Sequence, residues 1–189
     1  MNPVRSKEPV QVYQLKITLK GIRPPIWRRV QVRGDMDLSH LSWVVCRVMP
    51  WSGFHSHVFT LNGVDYGEID PDWGSDWEDE AEVVLSEIIP GPGFRFTYEF
   101  DFGDSWLHDI RVEKVLPLEA GVQYPVCLAG KRAGPPEDCG GVHGYYGLVA
   151  ALQDPRHPER DFWAEWMDGG FDAEAFDLSE VNARLHECG

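Results

Sequence analysis

The sequence predicts an α+β fold: one domain in which a β-grasp-like ββαββ beginning is extended by an aromatic β-hairpin and capped by C-terminal helices. Three observations predict it. Residues 13–19 alternate apolar and polar, the period of a strand with one wet face. Leu41, Val44, Val45 and Val48 recur at helical spacing, and the stretch from Phe94 to Val112 carries two aromatic-rich apolar faces around a glycine-containing turn.

Taken in order, Tyr13, Leu15, Ile17 and Leu19 form the apolar face of the first strand, and residues 1–12 are expected to be a flexible N-terminus. After the breaker "GIRPP", Ile26, Val30 and Val32 share a second alternating face, which points to an antiparallel partner. Asp37 is placed to cap the helix of Leu41 to Val48, and Pro50 stops it. The stretch "HSHVFTLNGVDYG" reads as a hairpin, because Asn62-Gly63 suits a type I′ turn whose central residues both need positive φ. An acidic loop over 65–82 holds nine carboxylates with Trp73 and Trp77, without the spacing of a calcium loop. A short helix is expected around Leu85 to Ile88, before the turn "PGPG".

In the aromatic hairpin, a three-residue loop of Gly103 to Ser105 would pair Phe102 with Trp106, Phe100 with His108, Tyr98 with Ile110 and Phe96 with Val112. On the other face Arg95 would meet Glu113. The letters Asp101-Phe102-Gly103 are those that hold magnesium in protein kinases. No glycine-rich phosphate loop or H-R-D segment accompanies them, so phosphotransfer is discarded. The Gly- and Pro-rich run 124–147 reads as an ordered loop. Helices bearing Tyr145, Leu148, Val149 and Leu152, then Phe162, Trp163 and Trp166, then Leu178, Val181 and Leu185 follow, the last opened by Asp177 and Glu180.

Composition bounds the function. Hydrophobic residues at 43% with eight Trp mark a globular chain of a size for one core, so residues 13–186 are taken as a single domain. No apolar run approaches a membrane span and "MNPVRSKEPVQ" lacks a signal-peptide core, which predicts a cytoplasmic protein with no membrane partner. Four scattered cysteines, Cys46, Cys127, Cys139 and Cys188, are expected as reduced thiols. A net charge of −14 opposes nonspecific binding to phosphate backbones, although Arg28, Arg29 and Arg33 cluster on one strand as a candidate nucleic-acid contact.

For chemistry, His55 and His57 lie two apart, which on a strand gives one shared face suited to two metal ligands. With His108 they make a candidate site for a divalent metal, Asp101 or Asp104 supplying a carboxylate; the competing reading is three satisfied sheet histidines. Cys127, Cys139 and His143 have a spacing unlike ordinary zinc ribbons. Glu137 and Asp138, beside Gly140-Gly141, either cap the next helix or line a pocket. No nucleophile motif, P-loop or dinucleotide fingerprint is present.

The segments "IWRRVQV", the helix ending in "MPW", "HSHVF", "YEFDFGDSWLHDI", "PVCLAGKRAGPPEDCGGVHGY" and "DPRHPE" occur in an order that resembles the plasmid pRiA4b ORF-3-like proteins, over Tyr13 to Leu185. The resemblance implies an α+β domain of bacteria and archaea, found near plasmids or transposable elements, with no established biochemistry. Some members carry the label of transposon resolvase. This chain has neither a serine with a supporting arginine set nor a basic helix-turn-helix, so that label is set aside. Family members commonly have cysteine where this chain has Gly134, which removes a ligand from any shared thiolate site with Cys127.

The expectation is a ligand-binding or protein-interaction module, taking a small molecule or a protein partner. Its site is drawn from Asp101, Asp104, Trp106, His108, Glu137, Asp138, Gly140, Gly141 and Tyr145, where the His55/His57 strand, the hairpin and the Glu137 to Gly141 loop are expected to converge. Two alternatives stay open: a metal-dependent hydrolase-type enzyme on His55, His57 and His108, and a nucleic-acid accessory factor.

Overall fold

A computed structural model describes residues 9–69, 76–168 and 170–187. The first strand, β1 (Gln11–Leu19), pairs antiparallel with β2 (Trp27–Arg33), as the two alternating patterns predict. It starts earlier than Tyr13, since Gln11 and Val12 are already paired with Pro117 and Leu116. The flexible N-terminus is therefore too long at its C-terminal end, and residues 1–8 lie outside the described residues. Helix α1 (Leu38–Val48) begins at Asp37, whose side chain accepts the His40 N–H at 2.7 Å, and it ends before Pro50.

The next hairpin is β3 (His57–Leu61) and β4 (Val64–Gly67), joined through Asn62 and Gly63 at φ 53° and 82°, the two positive values that the turn requires. A two-residue strand, β5 (Glu78–Asp79), and a single 3-10 turn (Glu80–Glu82) lie within the acidic segment; Trp73 of that segment lies outside the described residues. Then come α2 (Leu85–Ile88), the aromatic hairpin β6 (Arg95–Phe100) and β7 (Trp106–Pro117), and β8 (Val126–Lys131). Helices α3 (Gly141–Gln153), α4 (Arg160–Trp166) and α5 (Leu178–His186) complete the chain.

All eight strands join one sheet in the order β5-β4-β3-β6-β7-β1-β2-β8. The fold is α+β, a single domain. The two early hairpins do not touch each other: β6 and β7 enter between them, so the aromatic hairpin is the centre of the sheet. Side chains of one sheet face (Leu15, Ile17, Val30, Phe96, Tyr98, Ile110 and Val112) form a common core with Leu41, Val44 and Val48 of α1, Leu148 of α3 and Val181 of α5. The alternate residues, among them Lys16, Thr18, Gln31, Thr97 and Arg111, are polar and half-exposed or exposed.

The register of the central hairpin differs from the sequence expectation by two residues. Phe100 pairs with Trp106, Tyr98 with His108 and Phe96 with Ile110, so the loop runs from Asp101 to Ser105. A two-residue slip preserves which side chains share a face, so hydrophobic alternation cannot choose between the registers. The loop decides. Asp101 and Ser105 both take positive φ (59° and 54°), and the Asp101 carboxylate accepts the Gly103 N–H at 3.0 Å, so that five residues close the turn. Phe102 is consequently exposed, and Arg95 meets Asp109 at 2.6 Å instead of Glu113.

Candidate functional site

The three segments expected to converge do so. Asp101 leads the five-residue turn and is almost buried; its backbone N–H donates to the Ser56 carbonyl at 2.9 Å, which ties the turn to the segment entering β3. His55 lies in that segment, outside the strand. Its Nδ1 is 3.8 Å from Asp101 Oδ1 and its Nε2 is 3.6 Å from Asp138 Oδ1, while its ring stands edge-on to Phe100 at 5.6 Å. Among the described residues, His55, Asp101 and Asp138 are the group of three metal-ligating side chains whose donor atoms all lie within 4.8 Å of one another.

The third segment is anchored independently of the cluster. Glu137 accepts the Ser52 N–H at 2.9 Å and the Ser52 hydroxyl at 2.7 Å, and Trp51 Nε1 donates to the Pro135 carbonyl at 2.8 Å. Asp104 accepts the Gly140 N–H at 3.1 Å. Helix α3 therefore receives its N-terminal carboxylate from the hairpin, and Gly140 itself caps without a side chain. Glu137 and Asp138 do not cap α3; they face the 52–55 segment. Asp138 holds φ 56°, so both carboxylates flanking His55 come from left-handed backbone, which Asp tolerates better than most residues.

The three histidines named by the sequence do not gather. His57, on β3, places Nε2 2.9 and 3.0 Å from the two oxygens of Glu80, a buried carboxylate. His108 is fully buried, with the Tyr98 and Trp51 rings 5.6 and 5.4 Å away; burial lowers its pKa to about 4, against a backbone hydrogen bond that pulls upward. Tyr98 also lies 5.7 Å from the His57 ring, so it occupies the space between the two imidazoles. Trp106 and Tyr145 are core residues at 1% exposure and present no surface to a ligand.

Glu80 was hidden in the sequence within a run that reads as solvated. It borders a cavity of about 380 Å³, together with Ser42, Cys46, Ser52, Gly53 and His57. The Tyr98 hydroxyl reaches this wall, 2.8 Å from Ser42 Oγ and 3.8 Å from Cys46 Sγ. Cys46 and Cys139 are buried thiols whose pKa burial pushes up to about 12, and Cys127 is likewise raised, so none of the three is poised as a thiolate.

Strand alternation turns Arg28 away from Arg29 and Arg33. Arg28 faces the core at 2% exposure, Arg29 forms a two-pronged ion pair with Glu113 at 2.6 and 2.9 Å, and Arg33 pairs with Asp35. Arg28, Arg29 and Arg33 thus make no common stripe. No helix among the described residues is long and apolar enough to cross a membrane.

The family model of the plasmid pRiA4b ORF-3-like protein matches residues 11–180. The chain belongs to that family. This pRiA4b ORF-3-like chain is 35% identical over 178 residues to the uncharacterized protein y4hQ of Sinorhizobium fredii (strain NBRC 101917 / NGR234), covering 93% of this chain and 91% of that one. It is also similar to the crystal structure of a protein of unknown function, MM3350 from Methanosarcina mazei Go1, with a TM-score of 0.82, 37% identity, and coverage of 92% of this chain and 99% of that chain. The family resemblance and the α+β fold read from the sequence are thereby established, and the function is that of a family whose role these names leave open.

Proposed function

We propose that this pRiA4b ORF-3-like protein is a ligand-binding module whose site is the convergence of the His55 segment, the Asp101 turn and the Asp138 loop, with a divalent cation as the group the site holds. The observation that carries this reading is His55 seated between two carboxylates from distant parts of the chain. One imidazole and two carboxylates form a mixed nitrogen and oxygen donor set suited to zinc, manganese or iron, with coordination positions left for a ligand. An imidazole gives one nitrogen to an ion, and with one donor atom from each residue the trio lies within 4.8 Å; donor atoms sharing one ion lie roughly 3 Å apart, so binding requires the widest pair to close by up to about 2 Å. Asp101 is already oriented by the Gly103 N–H, the kind of outer hydrogen bond that sets ligand direction at metal sites.

Metal content of untagged protein, measured by elemental mass spectrometry beside the Asp101→Asn and Asp138→Asn variants, tests this. Near-stoichiometric metal in the wild type, lost in both variants while the fold is kept, is the expected result. Protein that is metal-free and takes up neither zinc nor manganese in a calorimetric titration would reduce the trio to an ion-paired clamp between loops.

A further inference from the structure

We propose that the open face of the sheet is a docking surface for single-stranded nucleic acid, carried by a row of four cationic side chains on four adjacent strands. The register places Arg95 of β6 opposite Arg111 of β7, Arg111 opposite Lys16 of β1, and Lys16 opposite Arg29 of β2. Like charges directly opposite one another on a sheet face are destabilising. The fold does not require them. Neighbouring outward positions carry Thr18, Gln31 and Thr97, so uncharged polar residues suffice on this face.

Only the ends of the row are neutralised: Arg95 by Asp109 and Arg29 by Glu113, each at 2.6 Å. Among the described residues, the central pair, Lys16 and Arg111, has no carboxylate within ion-pair distance. The row spans three strand spacings, roughly 14 Å at about 4.8 Å each. Beside it lies the half-buried indole of Trp27, with Lys16 Nζ and the Arg29 guanidinium 5.0 and 5.3 Å from its centroid. Cations tracking a backbone next to a flat π surface are the combination that holds single strands, whose bases stack as their phosphates are neutralised.

Three carboxylates, Glu99, Asp109 and Glu113, share this outward face with the four cations of the row, which leaves the row a local excess of positive charge within a chain of net charge −14. The acidic segment belongs to the β4 and β5 edge, and β4 is three strands from β7 in the sheet order. At physiological ionic strength the screening length is about 8 Å, shorter than that separation. This surface is independent of the His55 cluster, so either proposal stands if the other fails.

Fluorescence anisotropy of a labelled single-stranded 20-mer against the full-length protein tests the assignment. Binding is expected with a logarithmic salt slope of about −1.5 to −3, for two to four phosphates at about −0.7 each. A Lys16→Gln/Arg111→Gln double variant should bind at least tenfold more weakly while keeping the wild-type circular dichroism spectrum. An Arg156→Gln variant, which removes an exposed cation away from the row, should bind as wild type does. The proposal is overturned by absence of binding at 50 mM salt, by unchanged affinity in the double variant, or by equal affinity for a duplex. Binding confined to poly-glutamate or to anionic vesicles overturns it as well.

Discussion

Arg28 Nε donates to the carbonyl of Val48 at 2.8 Å, joining the core face of β2 to the C-terminal end of α1. Its Nη1 donates to the Trp27 and Lys131 carbonyls at 2.9 and 3.1 Å, and the guanidinium lies 4.9 Å from the Phe176 centroid. Burial lowers its pKa to about 10, so it stays charged at neutral pH while bound to carbonyls that would otherwise be orphaned. Replacing Arg28 by Ala leaves those acceptors unpaired and empties its volume, for an expected loss of roughly 2 to 4 kcal/mol. Arg28→Lys should recover little of it, because an ammonium lacks the planar fork that reaches several carbonyls at once. Urea unfolding of both variants measures this; a Lys variant equal to wild type would show that charge alone matters.

Gly134 sits where any side chain would collide with α1. A Cβ there would lie 2.2 Å from the Met49 carbonyl oxygen, a backbone atom that cannot swing aside. Gly134→Ala is therefore expected to displace the loop leading to Asp138, lowering the melting temperature by several degrees and weakening any metal uptake. Unchanged melting and unchanged uptake would mean that the loop position is not set by this close approach.

His108 ties stability to pH. Its folded pKa of about 4 lies below the ordinary value of 6.5, so the unfolded chain binds the proton more readily. Stability is then lost as pH falls from about 6.5 towards 4, on the order of 3 kcal/mol in all. Glu113, held at about 2 chiefly by its hydrogen bond from Arg29, adds a second loss as pH falls from about 4.5 towards 2. Nε2 of His108 has no hydrogen-bond partner, so His108→Phe removes an orphaned polar atom at little change in volume. The variant should match wild type within about 1 kcal/mol at pH 7 and exceed it at pH 5, as read from denaturant midpoints. A wild-type profile flat between pH 7 and 4.5 contradicts this account.

The hairpin register can be read chemically. Thr97 lies directly opposite Asp109 on the solvent face. Directly opposed antiparallel residues have Cα atoms about 4.5 to 5.5 Å apart, within the range a disulfide spans. Cysteines at Thr97 and Asp109 should cross-link on mild oxidation, whereas cysteines at Thr97 and Arg111, opposed only in a register shifted by two, should not. Tryptic mass mapping distinguishes the pairs, and preferential cross-linking of the second pair would restore the three-residue loop.

Local elements were legible in the sequence because their determinants are local. Asp37 caps α1, Asn62-Gly63 turns β3 into β4, Leu85–Ile88 forms the short helix, and Asp177 accepts the Ser179 and Glu180 N–H groups at the start of α5. Each depends on residues within one turn of each other, so spacing and side-chain chemistry suffice. The family resemblance followed from the order of such segments along the chain.

Only the tertiary structure decided which residues meet. Strand alternation has a period of two, so it could not distinguish the hairpin registers, nor say that Glu113 is the carboxylate that meets Arg29. Glu80 looked like one carboxylate among nine until β3 brought His57 to it. The sequence grouped His55 with His57 and His108, whereas the packed chain sets it beside Asp101 and Asp138, because what gathers around His55 is set by the order β3-β6-β7 and by the Glu137 anchor on Ser52. Those contacts join residues far apart along the chain, and no local pattern encodes a separation that the packed sheet alone closes.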